Sequence, residues 1–427
     1  MTFPSEVERI LNTPDRPQLN KRPFYPESDY QHVVLVILDG VSRRVYEAAE
    51  IPFIRELQNN GAYFSNCFTS FPTMTASAHS SINSGSYPET HAVGMATGGE
   101  RVVLDNSIYL SAALKKAGLT SSCVADPTFK GAFSYLSVEY FGHSIPQTGA
   151  MARWSFETFK PSFLTVTFYA TDTLSHAYGP GHRHVYAALT EVDKEVEKLV
   201  HCVRQVSDVE KTLFVIASDH GQVDSDIPVV SECRAFGEPG VDFVPNPGGR
   251  TITLNNPSDK QLQQWAAHDM TLKILSPTEV HLLGHHCAPN HHVVCLQEGY
   301  TWQKTHNVSI HGGLSTEERN VPLVLSGYGV RPGVYGQVAE GIDIAPTASA
   351  LLGGQHLPSF QGRILSEALM WDNPLSADDL IEFRRKREAW LKAPKTATGF
   401  DTKALLLERR RLEHEYYKAV LQRSNNA

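Results

Sequence analysis

Apolar runs that stop at an aspartate recur along this chain. VVLVIL is followed by Asp39, FLTVTF leads into Asp172, and LFVIAS ends at Asp219. Such runs lack the in-out alternation of a half-exposed strand and predict strands buried on both faces. Between the second and third lies HVYAALTEVDKEVEKLVHCV, where Val185, Leu189, Val192, Val196 and Val200 fall near one helical face. Upstream, SIYLSAALKKAGLTSSCVAD combines a helical stretch, a closing glycine and a short apolar run, which predicts an αβ unit. Strands alternating with amphipathic helices predict an α/β fold with a central, mostly parallel sheet covered on both faces.

Punctuation divides the chain further. Residues 1–30 are rich in proline and charge and read as an N-terminal arm. The first half of the core is expected over 31–221. From 222 to 309 the texture changes: Gly and Pro cluster in FGEPGVDFVPNPGG, and strand-like RTITLNN, helix-like SDKQLQQWAAH and HHVVCLQEGYTW follow. That segment is expected to form a small cap subdomain inserted between two core halves. The second half spans 310–371, with HGGLSTEERNVPLVLSG and the helical IAPTASALLG. Residues 372–427 are charged and helical in pattern. This tail is expected to pack on its own core or to mediate a homo-oligomer, and its basic runs, FRRKREAW and LLLERRRLEHEY, read as solvated helix faces.

Composition narrows the class. With 427 residues and 41% hydrophobic content the chain can bury a large core, and its net charge of -8 gives no basic field for a nucleic-acid groove. No apolar stretch is long enough for a membrane span, and the first residues lack the basic-then-apolar pattern of a signal peptide, so a cytoplasmic enzyme is expected. Cys67, Cys123, Cys202, Cys233, Cys287 and Cys295 have no framework spacing and read as reduced thiols.

The candidate chemistry sits where the apolar runs end, the usual place for ligands in an open α/β sheet. Asp172 and His176 are one helical turn apart, Asp219 and His220 are adjacent, and Asp39 precedes Gly40. Mixed carboxylate and imidazole donors suit a first-row divalent ion, Zn first and Mn second, better than Ca or Mg. A capping aspartate or a turn explains each patch taken singly. The segment HLLGHHCAPNHHVVC, with His281, His285, His286, His291 and His292, has no standard zinc spacing and reads as a cap loop near the site mouth.

The patches in combination resemble the alkaline phosphatase superfamily, and within it the nucleotide pyrophosphatase/phosphodiesterase branch with its phosphonoacetate hydrolase relatives. The resemblance lies in LDG at Asp39, PTMTASAHSSINSGSYPETHAV, YATDTLSHAYGP, ASDHG and HGG at His311. It implies an α/β/α sandwich and two divalent metal ions. One ion would be held by Asp172, His176 and His311, and the other by Asp39, Asp219, His220 and the nucleophile Thr75. Thr73 competes for the nucleophile's role in FPTMT, and the family pattern selects Thr75, four residues before His79. A metal-coordinated threonine hydroxyl needs no histidine base, and a phosphothreonine would form and then be hydrolysed.

The same resemblance implies a substrate class. Phosphomonoesterases of the superfamily place an arginine after the nucleophile, where this chain has Ala76, so a phosphodiester, a pyrophosphate or a phosphonate is the expected small-molecule substrate. Relatives place a phosphate-binding asparagine downstream, where this chain has Ala96, and Asn106 and Lys130 are the candidate replacements. A phosphomonoesterase, a phosphoglycerate-mutase-like isomerase of the same superfamily and a non-catalytic scaffold are the alternatives.

Overall fold

The computed structural model describes residues 30–93, 108–125, 144–302, 307–354, 356–370, 378–393 and 401–426. Ala96, Asn106 and Lys130 lie outside them, as does the N-terminal arm up to residue 29.

His32–Leu38 is the middle of the fold. In the seven-stranded sheet it lies between Phe163–Phe168 and Thr212–Ala217, and it is parallel to both. The order across the sheet is Gly333–Tyr335, Ala62–Phe64, Leu323–Gly327, Thr212–Ala217, His32–Leu38, Phe163–Phe168 and Ser121–Val124. Leu323–Gly327 runs antiparallel to both of its neighbours. Both faces of the central strand are covered. Val33, Leu35 and Ile37 pack with Ile344, Ala345 and Ala348 in one layer, while Val34, Val36 and Leu38 pack with Val185, Leu189, Val192 and Val196 in the other. The period of two along a strand sends successive side chains into opposite layers, which is why the run is apolar throughout.

The second layer is set by the helix Arg183–Val206, and the five residues picked out by its periodicity are buried. Full burial of each such side chain contributes roughly 1.5–3 kcal/mol. The consequence for the site is topological. Three adjacent parallel strands end side by side, so Asp39, Asp219 and the helix bearing Asp172 emerge at one edge of the sheet.

Within 222–309 a second, four-stranded antiparallel sheet forms in the order Thr271–Leu275, His291–Leu296, Thr251–Asn255, Phe243–Pro245. The strands Phe243–Pro245 and Thr271–Leu275 and the helix Pro277–Leu282 were not evident in the sequence, because proline and single apolar positions blur their period. One face of this sheet packs on Trp265, and the other, through Val293, Cys295 and Leu275, packs on the tail.

The tail forms helices Asp378–Lys392 and Thr402–Asn426. Of the two placements left open for it, packing on its own chain is observed: Phe383, Trp390, Leu405, Leu406 and Leu412 join the layer under the second sheet. Its basic runs are not simply solvated faces. Arg384, Arg387 and Arg409 are buried, while Arg385 and Arg411 stay exposed. Arg384 reaches Asp343 at 2.8 Å and Glu340 at 2.7 Å, and Arg387 pairs with Glu340 and donates to Tyr87 Oη at 3.2 Å. Arg319 forks onto Glu388 with two bonds of 3.0 Å. A run of arginines alternating with acids looks the same in sequence whether its counter-charges are solvent or the chain's own core.

The His-rich segment reaches the same region. His281 Nδ1 lies 3.8 Å from Glu89, which also receives Arg409 at 2.8 Å and Arg410 at 2.6 Å. His91 accepts the Val93 N–H on Nδ1 and meets Ser81 Oγ with Nε2 at 2.9 Å, an arrangement that requires a neutral ring. Burial pushes His91 down to about 3, His285 to about 4 and His356 to about 3. In the unfolded chain these rings ionise near 6.5. Between pH 6.5 and about 4 the unfolded state therefore binds more protons, and stability falls as pH falls. The melting temperature is expected to drop steeply from pH 7 to pH 5, which thermal unfolding at several pH values measures.

Candidate active site

The ends of the three central strands are joined by short contacts. Gly40 N–H donates to Asp219 Oδ1 at 3.1 Å, and Thr171 Oγ1 donates to the Asp39 carbonyl at 2.5 Å. Gly40 has φ +72°, and a Cβ there would lie 2.9 Å from the Asp172 Cα, so the DG turn is also what lets the Asp172 helix approach.

Two groups of donors result. Asp172, His176 and His311 form the first, and Asp39, Asp219 and His220 the second; within each group one ligand atom per residue lies within 4.8 Å of the others. In the first group Asp172 Oδ2 is 3.5 Å from His176 Nε2, and Asp172 Oδ1 is 3.8 Å from His311 Nε2. The two groups adjoin, since the His220 and His311 rings stack with centroids 3.8 Å apart. The second group is fully buried, whereas the His176 side chain keeps 22% of its exposure, so the first group faces the opening.

Backbone carbonyls fix the imidazoles. His176 Nδ1 donates to Ser309 O at 2.7 Å, His311 Nδ1 to Thr73 O at 2.7 Å, and His220 Nδ1 to Gly221 O at 3.2 Å. Each bond places the proton on Nδ1 and leaves the Nε2 lone pair inward, the outer-shell arrangement typical of metal-binding histidine.

Charge in the second group favours the same state. For Asp219 the burial penalty is outweighed by His220, His79 and the Gly40 N–H, which hold the carboxyl well below its usual range. Burial pushes His220 down to about 4 against the pull of Asp219, so it is neutral at pH 7. Ionised carboxylate and neutral imidazole are what a divalent cation requires. Asp219 Oδ2 is buried without a well-formed hydrogen bond, 3.2 Å from His220 Nε2 and 3.3 Å from His79 Nε2. A buried carboxylate oxygen so placed fits a cation between these groups.

The two threonines of FPTMT separate clearly. Thr73 is fully buried; its hydroxyl accepts from Gly312 N–H at 2.9 Å and donates to Gly313 O at 3.3 Å, stapling one loop to another. Thr75 opens the helix Thr75–Ser84 and is partly exposed, with Oγ1 3.0 Å from His220 Nε2. Two further elements complete the surroundings. The turn after Phe243–Pro245 rests on the FPTMT segment: Gly248 has φ +89°, and a Cβ there would lie 2.5 Å from Met74 Sδ and 2.8 Å from the His311 carbonyl. Glu318 joins the two sheets, accepting Gly313 N–H at 2.7 Å and facing Arg250 at 3.4 Å.

The seven residues proposed from sequence therefore meet in one place. Two residues that the sequence did not assign also join them. His79, fully buried one turn after Thr75, lies 3.3 Å from Asp219 and 3.9 Å from Asp39. Its i, i+4 relation to Thr75 was a usable signal. Gln222, fully buried, contacts Asp172 from fifty positions further along the chain, which no local pattern could announce.

Comparison with known proteins places the chain in a family. The type I phosphodiesterase / nucleotide pyrophosphatase family pattern matches residues 33–95 and 118–269. The chain belongs to that family. Among curated relatives, ectonucleotide pyrophosphatase/phosphodiesterase family member 1 of Rattus norvegicus is 25% identical in an alignment 255 residues long that covers 51% of this chain and 26% of that protein. The chain thus aligns with about a quarter of the length of that relative. Two solved structures share the fold. One is murine ectonucleotide pyrophosphatase/phosphodiesterase 5, as an inactive threonine-to-alanine variant in complex with AMP (TM-score 0.63, 16% identity, 77% of this chain and 96% of that chain). The other is wild-type alkaline phosphatase PafA (TM-score 0.61, 14% identity, 81% and 99%). This phosphodiesterase-family chain thus has the alkaline-phosphatase-like α/β fold, and it carries metal-type donor groups as a metal-dependent family requires.

Proposed function

We propose that the protein is a two-metal hydrolase that cleaves a phosphodiester, pyrophosphate or phosphonate bond through a covalent phosphothreonine on Thr75. The observation that carries this reading is the pair of adjoining donor groups with the Thr75 hydroxyl 3.0 Å from His220. Asp172, His176 and His311 would hold one ion, and Asp39, Asp219, His220 and the Thr75 oxygen the other, with Zn favoured by the mixed N and O donors. When bound, two divalent cations supply Lewis acidity at the attacking oxygen and at the leaving oxygen.

The chain's own groups account for the remainder. The helix Thr75–Ser84 has no side-chain N-cap, so its first-turn amides, including that of Ala76, are available to a phosphoryl oxygen. The Thr75 hydroxyl donates a hydrogen bond to His220 Nε2, which sets its oxygen beside the second donor group. Thr73 is committed to holding the His311 loop, which leaves Thr75 as the nucleophile. Ala76 offers no guanidinium to a dianionic monoester, which favours a monoanionic phosphoryl group. The AMP complex of the murine neighbour supports a nucleotide-type substrate. Residues 222–309 would act as a cap on the site, because their Asn246–Gly249 turn sits on Met74.

The test is metal removal followed by reconstitution. Protein stripped with a chelator is expected to lose hydrolysis of bis-p-nitrophenyl phosphate and to regain it with Zn or Mn. A panel of diesters, nucleotide pyrophosphates, phosphonoacetate and monoesters should rank monoesters last. Protein that holds no divalent metal and hydrolyses none of these refutes the proposal.

A further inference from the structure

Gln222 is fully buried behind the first donor group. Its Nε2 donates to Asp172 Oδ1 at 2.5 Å and to the Asp172 main-chain carbonyl at 3.1 Å, and its Oε1 lies 2.6 Å from Ser309 Oγ, a hydroxyl whose single proton it shares with the Ser175 carbonyl, also at 2.6 Å. Ser309 in turn offers its main-chain carbonyl to His176 Nδ1 at 2.7 Å. The pairing of Ser309–Ile310 with Val223–Asp224 brings these residues together, since Ser309 lies opposite Asp224 and Ile310 opposite Val223. One side chain thus ties the carboxylate of one donor to the residue that orients the imidazole of another. The direction of the amide is dictated by charge. Reversed, it would set a carbonyl oxygen 2.5 Å from a carboxylate oxygen, two acceptors with no proton between them.

We propose that Gln222 is a positioning residue of the first metal site, where its amide pins Asp172 Oδ1, the oxygen on the His311 side, and so fixes the carboxylate with Oδ2 turned toward His176. This rests on the two-metal reading above. A carboxylate held at one oxygen by a neighbouring N–H is favoured as a one-oxygen ligand, and three single-atom protein ligands would leave the fourth position of a tetrahedral ion for substrate. An amide does this without adding charge and without titrating. An aspartate or histidine in its place would change the site's net charge or ionise within the working pH range.

A buried glutamine that merely filled space would show no preference between the two sites, so the test reads them separately. Metal-free full-length protein is titrated with Co²⁺ in competition with a chelating indicator, and Asp39→Asn identifies the step that belongs to the second group. In Gln222→Leu and Gln222→Met, affinity at the first site is expected to fall about 10- to 100-fold. The second site should stay within about twofold of wild type, because its donors share no partner with Gln222. Ser309→Ala keeps the carbonyl that holds His176 and should cost less. The double variant Gln222→Leu/Ser309→Ala should lose less than the sum of the two single losses, because the Ser309 hydroxyl acts partly through Gln222 and partly on the Ser175 carbonyl.

Wild-type affinity at the first site in both Gln222 variants overturns the inference, as do equal losses at the two sites or losses that add in the double variant. If wild-type protein binds no ion, the two-metal reading falls and this inference with it. Gln222→Met preserves length and volume and Ser309→Ala is a small truncation, so the outcome does not depend on one variant folding.

Discussion

Replacing Thr75 by alanine is expected to reduce turnover by about 10⁴-fold or more while leaving both metal sites filled, because removal of a covalent nucleophile removes the reaction path itself. The expectation separates chemistry from assembly. Asp39, Asp219 and His220 keep their mutual geometry through the Gly40 and Gly221 backbone contacts, neither of which involves the Thr75 side chain. Metal analysis of the purified variant beside a kinetic assay measures both quantities. Thr73→Ala gives the contrast: its hydroxyl bonds Gly312 and Gly313, so its loss should loosen the His311 loop and weaken binding of the first ion, with partial activity remaining. Full activity in Thr75→Ala would exclude it as the nucleophile.

The second large effect lies far from the chemistry. Arg384→Met is expected to destabilise the fold by about 3–5 kcal/mol, because it removes the guanidinium buried between two carboxylates, leaving Glu340 to Arg387 alone and Asp343 with only the more distant Arg363 at 3.9 Å. These carboxylates belong to the short helix Gly341–Asp343 and its cap, which packs beneath the helix Thr75–Ser84, where Ile82 contacts Gly341. Restoring charge balance with Asp343→Asn in the Arg384→Met background should recover part of the loss, since the amide oxygen can still accept from the Arg363 N–H that now bonds Asp343 at 2.7 Å. Chemical denaturation of the three proteins measures the differences. A midpoint unchanged in Arg384→Met would show that solvent reaches this network.

The same network explains why part of the fold was legible and part was not. The strands at 32–38, 163–168 and 212–217 and the helix at 183–206 announce themselves because one residue type repeats at one period, and burial on two faces demands it. The arginines of the tail show no such mark. Arg384 and Arg385 are neighbours in sequence, yet one is buried between two carboxylates and the other is exposed beside Glu382. Their fates follow from where the helix docks, and docking is settled by Phe383, Trp390 and the apolar residues of the second sheet together.

The sequence by itself determined the sheet's central strands, the crossover helix and the five candidate donors Asp39, Asp172, His176, Asp219 and His220 through local periods and motifs at strand ends, while Thr75 and His311 were marked by the family resemblance. The division of the seven between two ions and the choice of Thr75 over Thr73 came from the family resemblance, and only the tertiary structure decided that the two groups adjoin, that Thr73 is buried as a staple, and that His79 and Gln222 stand behind the carboxylates. The physical reason is range. A period or a motif is written within one element, whereas the hydrogen bond from Gln222 to Asp172, the stack of His220 on His311 and the staple from Thr73 to Gly312 join positions that only the packed sheet brings within 4 Å.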